Sequence, residues 1–125
     1  MRKFYSLITT LLQIPLAGYW FFRGVVNQRY RRGFRQRFGF GYPKLDGCIW
    51  VHAVSVGEVQ AAAPLIRSLK ERFPDFPILV STVTPTGAAR VRSLFGDSVT
   101  HCYIPFEAPY AVNRFFAAVN PALAL

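Results

Sequence analysis

Acidic residues are scarce in this 125-residue chain: six Asp+Glu face 15 Lys+Arg, and none of the six precedes Asp46. Cysteine is scarcer, with only Cys48 and Cys102. Two thiols cannot build a disulfide framework, and neither belongs to a CxxC metal pair. No GxxxxGK is present, which excludes a Walker phosphate loop. No G-x-S-x-G surrounds Ser55, so Ser55 and His52 make no nucleophile elbow. No metal-ligand spacing joins His52, His101 and the cysteines, and no cofactor motif appears. Disordered basic tails have few apolar residues; a hydrophobic fraction of 52% excludes that class. The length fits one domain at most.

The formal charge of +9 is unevenly placed. Residues 1–44 carry Arg2, Lys3, Arg23, Arg29, Arg31, Arg32, Arg35, Arg37 and Lys44 and no acid. Residues 45–125 carry six basic and six acidic side chains and are neutral. The chain is therefore read as an arm, 1–44, and a balanced domain, 45–125. The polyanion such an excess attracts is nucleic acid, an anionic membrane or a phosphorylated substrate.

The arm opens with 19 uncharged residues, FYSLITTLLQIPLAGYWFF, between Lys3 and Arg23. As a helix they would span roughly 28 Å, near the thickness of the hydrocarbon core. Tyr19, Trp20, Phe21 and Phe22 gather at one end, as interfacial aromatics do. Ser6, Thr9, Thr10, Gln13 and Pro15 dilute the run, so both a single span and a shallow monotopic anchor remain open. A secretory signal peptide competes, but no small-x-small cleavage site precedes the aromatics and the arginines that follow disfavour export. Arg29, Arg31, Arg32, Arg35 and Arg37 come next, with Tyr30, Phe34 and Phe38 four residues apart. On a helix those rings share a face, and a basic helix with an aromatic stripe suits an anionic membrane surface. An ordinary solvated charge run that fixes topology is the plainer reading, and it also puts the segment on the cytoplasmic side. Arginines with aromatics also suit nucleic acid, but the neighbouring apolar run favours membrane. Gly39, Gly41 and Pro43 read as a linker.

From Cys48 onward strands and helices alternate. CIWVHAV, ILVSTV, VTHCYIP and the terminal ALAL are short apolar runs bounded by turn residues, as buried strands are. VQAAAPLIRSLKERF, AARVRSLF and APYAVNRFFAAV keep helical spacing, with Pro64 expected to kink or tighten the first of them. Such alternation predicts an α/β fold, a Rossmann-like parallel sheet with helices on both faces. A chain stopping four residues into a strand is expected to be the N-terminal part of a longer protein. His52 and the His101-Cys102 pair read as core residues.

Ligands of such sheets bind beyond the carboxyl ends of the strands, where two loops stand out. Ser55-Val56-Gly57-Glu58 puts a carboxylate at a helix start, where it can act as a general base on a substrate hydroxyl. Gly57 allows a tight turn or close ligand approach. Ser-x-x-Glu is equally a capping box, which only satisfies backbone N–H groups. Thr82-Val83-Thr84-Pro85-Thr86-Gly87 offers hydroxyls and free N–H groups to a phosphate or carboxylate. Thr84 as N-cap with Pro85 at the first helical position explains it without a ligand.

These loops carry a family resemblance. Trp50-Val51-His52-Ala53-Val54-Ser55-Val56-Gly57-Glu58 with Ser81-Thr82-Val83-Thr84-Pro85-Thr86-Gly87 resembles the N-terminal domain of bacterial 3-deoxy-D-manno-octulosonic acid (Kdo) transferases. Tyr103-Ile104-Pro105-Phe106, Asn113-Arg114-Phe115, Arg37-Phe38-Gly39 and the apolar start fit as well. The resemblance implies the N-terminal half of a GT-B glycosyltransferase, two Rossmann-like domains facing across a cleft. It implies metal-free, inverting transfer of Kdo from CMP-Kdo to the lipid A precursor in lipopolysaccharide synthesis. It gives Glu58 the role of base and Thr84, Thr86 and Gly87 a place in the cleft; with Ser55 and Gly57 of the first loop these are the candidate residues for the acceptor or its phosphates. Arg29, Arg31, Arg32, Arg35 and Arg37 then face the cytoplasmic surface of the inner membrane, with no nucleic acid involved. The family's acidic motif after the fourth strand and its donor-binding domain are missing, so the chain by itself is expected to be inactive.

Overall fold

The computed structural model describes the backbone of residues 1–26 and 33–125, and side chains in 1–19 and 33–125. Arg29, Tyr30, Arg31 and Arg32 lie outside the described residues. Helix α1, Arg2–Val26, is followed by a single turn, α2, Phe34–Arg37. Strand β1 (Cys48–His52), helix α3 (Val56–Arg72), β2 (Ile78–Thr82), α4 (Pro85–Phe95), a 3-10 turn (Gly96–Ser98), β3 (Thr100–Tyr103), α5 (Pro109–Val119) and β4 (Pro121–Ala124) follow among the described residues.

All strand pairings are parallel, in the order β3-β2-β1-β4. Ile49 pairs with Ile78 and Leu79 with Thr100. Alternate side chains of a strand leave opposite faces, so each strand feeds two cores. Ile49, Val51, Ile78 and Val80 meet Val59, Ile66 and Leu69 of α3 and Val91 of α4. Cys48, Leu79 and Cys102 meet Phe115 and Val119 of α5, with Tyr42 and Trp50 packed alongside. Helices thus cover both faces. The chain steps from β1 to β2 to β3, then returns over the opposite face to place β4 on the other side of β1. The strand order thus reverses between β1 and β4, and doubly wound sheets hold ligands beyond the carboxyl ends of the strands at such a reversal. Helix α3 runs unbroken through Pro64.

Both cysteines are buried. Burial, and secondarily Cys48, pushes the Cys102 thiol up to about 12, and burial also raises Cys48. Because the thiolate is the reactive species, neither should be alkylated by iodoacetamide in the native protein, while both react in urea. Mass spectrometry of the native protein checks this, and rapid native labelling of Cys102 would contradict it.

The apolar start forms one long helix, but no helix among the described residues is long and apolar enough to cross a membrane. Ser6, Thr9, Thr10 and Gln13 supply the polarity. Gln13 is only 7% exposed and accepts a hydrogen bond from the Tyr110 hydroxyl, while Tyr5 donates to Glu107 Oε2 at 3.2 Å. One flank of α1 is thereby tied to the start of α5. Phe4, Leu7, Leu11 and Ile14 are exposed.

The basic segment departs from the expectation of a membrane-facing helix. Its described part is a four-residue turn whose aromatics point inward: Phe34 stacks near Phe38 at 5.3 Å, and Phe38 meets Phe106 edge-on at 5.1 Å. Gly33 starts the turn in the left-handed region, φ 83, and a Cβ there would lie 1.8 Å from the Tyr103 ring. Tyr42, read as linker, packs edge-on against Phe115 at 5.2 Å. Arg35 is exposed, but Arg37 is 2% exposed. Arg37 is therefore no membrane-surface cation. Its Nη2 donates to Val83 O at 2.5 Å and its guanidinium lies 4.8 Å over the Tyr103 ring, where a buried cation finds a carbonyl and a π face.

Candidate functional site

The two loops singled out in the sequence meet at the carboxyl edge of the sheet. Ala53 N donates to Ser81 O at 2.9 Å and Val83 N to Val54 O at 3.1 Å, extending the β1–β2 ladder past the strand ends. Gly87 then lies against the other loop, since a Cβ there would be 3.5 Å from the Ser55 carbonyl carbon and 3.0 Å from Thr84 Oγ1. A Cβ at Gly87 would thus be in ordinary contact with the other loop and tight only against the Thr84 hydroxyl that caps α4.

Glu58 is at the third position of α3, exposed, on this edge. Its Oε2 accepts from Val54 N at 2.9 Å. Ser55 occupies the N-cap with extended backbone but makes no side-chain cap bond. The capping box is thus half formed: the glutamate reaches back, one residue beyond the cap, and the serine hydroxyl does not answer. Gly57 makes no tight turn. It lies within α3, and a Cβ there would meet nothing within 4 Å, so its surface is open to an approaching ligand.

Thr84 does cap α4: its Oγ1 accepts from Gly87 N at 3.0 Å, with Pro85 next. Thr86 Oγ1 donates to Thr84 Oγ1 at 3.3 Å, and Thr86 is exposed. One N–H of the α4 start is therefore already satisfied.

The histidines serve this edge rather than one common core. His52 is exposed, because it ends β1 where covering helices no longer reach; its Nδ1 is 2.8 Å from Ser81 Oγ, which also accepts from Trp50 Nε1 at 2.8 Å. His101 Nε2 is 2.8 Å from Thr82 Oγ1, below the second loop. Burial first, and Arg92 second, push His101 down from its ordinary 6.5 to about 4. Between those values the unfolded chain binds a proton that the folded chain refuses. The stability held by neutral His101 is complete above about pH 6.5 and is lost as pH falls toward about 4, on the order of 3 kcal/mol in all. His101→Gln should flatten that slope in unfolding titrations; an unchanged slope would contradict the assignment.

Sequence reasoning does not place Arg37 at this edge, and it gives no role to Val54 or to Val83 within the loops. The valines contribute only backbone groups, and Arg37 is one arginine among five. Among the described residues, no three His, Cys, Asp or Glu side chains gather as a metal site needs.

Sheet order and helices on both faces define a doubly wound α/β domain. Its relatives narrow that class. Residues 32–125 match the family model described as 3-deoxy-D-manno-octulosonic-acid transferase, and the chain belongs to that family. It is 39% identical over 128 aligned positions to the 3-deoxy-D-manno-octulosonic acid transferase of Haemophilus influenzae, covering 99% of this chain and 30% of that protein. The Bordetella pertussis enzyme of the same name is 39% identical over 82 residues, 62% of this chain and 19% of its own length. A protein of Arabidopsis thaliana named as probable mitochondrial 3-deoxy-D-manno-octulosonic acid transferase is 35% identical over 86 residues, covering 66% of this chain and 19% of its own. The chain thus spans under a third of the curated relatives it matches. No solved structure matches significantly.

Proposed function

We propose that this chain is the acceptor-binding half of a GT-B glycosyltransferase that moves Kdo from CMP-Kdo to a hydroxyl of the lipid A precursor. The observation that carries the reading is the meeting of two loops, Val54–Glu58 and Val83–Gly87, at the carboxyl edge of the sheet in a chain belonging to the Kdo transferase family. Glu58 takes the proton of the acceptor hydroxyl as its oxygen attacks the Kdo anomeric carbon, and the bond to CMP breaks with inversion. Oε2 is engaged by Val54 N, so Oε1 is the oxygen offered to the substrate. Ser55, the open surface at Gly57, and Thr86 beside the Thr84 cap line the place where the acceptor sugar and its phosphates lie.

The acceptor is a lipid, so the enzyme works at the cytoplasmic face of the inner membrane. Helix α1 is the anchor in this reading, lying in the interface by its exposed Phe4, Leu7, Leu11 and Ile14. Arg29, Arg31, Arg32 and Arg35 add attraction to anionic lipid, about 1 kcal/mol for each side chain near the surface.

A second reading is favoured by one observation: Glu58 and Thr84 both make helix-start bonds that need no substrate. It makes the domain a membrane-anchored module that holds an anionic ligand and catalyses nothing. Incubating the full-length protein with CMP-Kdo and lipid A precursor in detergent separates the two. A Kdo-bearing lipid detected by mass spectrometry supports the enzyme; acceptor binding without product supports the module.

A further inference from the structure

Arg37 and Glu58 stand at opposite ends of one hydrogen-bonded series. Arg37 Nη2 donates to Val83 O at 2.5 Å, Val83 N donates to Val54 O at 3.1 Å, and Val54 N donates to Glu58 Oε2 at 2.9 Å. Each valine is gripped through both its N–H and its carbonyl. Loops beyond strand ends are ordinarily the mobile part of such a sheet. Here both are tied, residue by residue, to a buried guanidinium.

The guanidinium is itself fixed from several sides. Its ring contact is Tyr103, at the end of β3. The backbone carbonyl of Arg37 accepts from Phe106 N at 2.8 Å, and the neighbouring Gln36 Oε1 accepts from Tyr103 N at 2.8 Å. Gly33 at the start of α2 lets the backbone approach the Tyr103 ring more closely than any side chain would permit. The basic turn is thus a strap laid across the ends of β2 and β3, with one arginine reaching under it to the loop carrying Thr84.

We propose that Arg37 is a positioning residue for Glu58, a statement that rests on the reading of Glu58 as the base. Arg37 sets Val83, Val83 sets Val54, and the Val54 N–H holds Oε2 so that Oε1 keeps one direction toward the acceptor. A bond with an ionised partner is stronger than one between neutral groups, so the two ends of the series, at Arg37 and at Glu58, are its firm links. Arg37 touches no reacting atom. Its effect falls on turnover more than on acceptor binding, because a small displacement of a catalytic group costs rate steeply.

The test compares Arg37→Met, Arg37→Lys, Glu58→Gln and the Arg37→Met/Glu58→Gln double variant in the full-length protein, with CMP-Kdo and lipid A precursor as substrates. Arg37→Met should lower kcat about 10- to 100-fold while the acceptor KM stays within about twofold. Arg37→Lys should recover part of the loss by keeping the charge and one bond. In the Glu58→Gln background, Arg37→Met should cost nothing more. Wild-type kcat in Arg37→Met, or losses that multiply fully in the double variant, would overturn the proposal. Wild-type transfer by Glu58→Gln would sink the base reading, and this proposal with it. Should Arg37→Met fail to fold, amide hydrogen exchange in Arg37→Lys decides: faster exchange at Val54 and Val83 than in wild type supports the series, and unchanged exchange at both overturns it.

Discussion

Phe115→Ala is expected to lower the unfolding free energy by about 3–5 kcal/mol, the range for deleting a buried phenyl group from a packed core. Phe115 is 1% exposed. Its ring meets Trp50 at 5.0 Å, Tyr42 at 5.2 Å and Phe116 at 5.4 Å, all tilted or edge-on, the arrangement that adds to simple burial. Helix α5 buries only Ala111, Phe115 and Val119, so one ring supplies most of the apolar surface holding it to the sheet. The loss reaches further than α5. Tyr42 belongs to the segment that follows the Arg37 turn, and it leans on the same ring. Urea unfolding followed by circular dichroism measures the change. Phe116→Ala is the internal control: Phe116 is 45% exposed, and its removal should cost less than about 1 kcal/mol. Equal losses for the two variants would contradict the core assignment.

The sheet domain was legible because its strands are buried on both faces. A strand such as Ile78–Thr82, every residue buried, opens on the apolar run Ile78-Leu79-Val80, which needs no knowledge of its neighbours. Thr84 and Pro85 marked the start of α4 by local chemistry, and Thr84 does accept the Gly87 N–H. Other features depend on distant partners. Nothing near Arg37 distinguishes it from Arg35, yet one is exposed and the other binds the carbonyl of Val83, 46 residues away. His52 follows three apolar residues, a pattern that predicts a core position, but burial at a strand's end depends on where the covering helix stops, and His52 is exposed. At Glu58 the capping-box motif holds for half of its geometry: the side chain turns back, but to Val54 and not to the cap residue Ser55.

The basic excess splits in the same way. Composition places it wholly before Asp46, which turns attention from nucleic acid toward membrane and phosphorylated lipid. Arg37 belongs to that excess by sequence and to the domain interior by structure. The charge that shapes the site and the charge proposed for the membrane are thus separated by a few residues in one short segment.

The central claim is that Glu58 removes the acceptor proton, and Glu58→Gln in the full-length protein tests it most directly. Glutamine keeps the shape of the side chain, and its carbonyl oxygen can still accept the Val54 N–H, so the start of α3 should hold. What it loses is the ability to take a proton. General-base catalysis contributes about 10²–10⁴-fold, so turnover at saturating CMP-Kdo and lipid A precursor should fall by about 10³. Acceptor affinity, measured separately by equilibrium binding, should remain within about threefold of wild type, since the lost interaction belongs to the transition state. A large fall in turnover with preserved acceptor binding is the predicted result; wild-type turnover by Glu58→Gln would contradict it and leave Glu58 with only its bond to Val54.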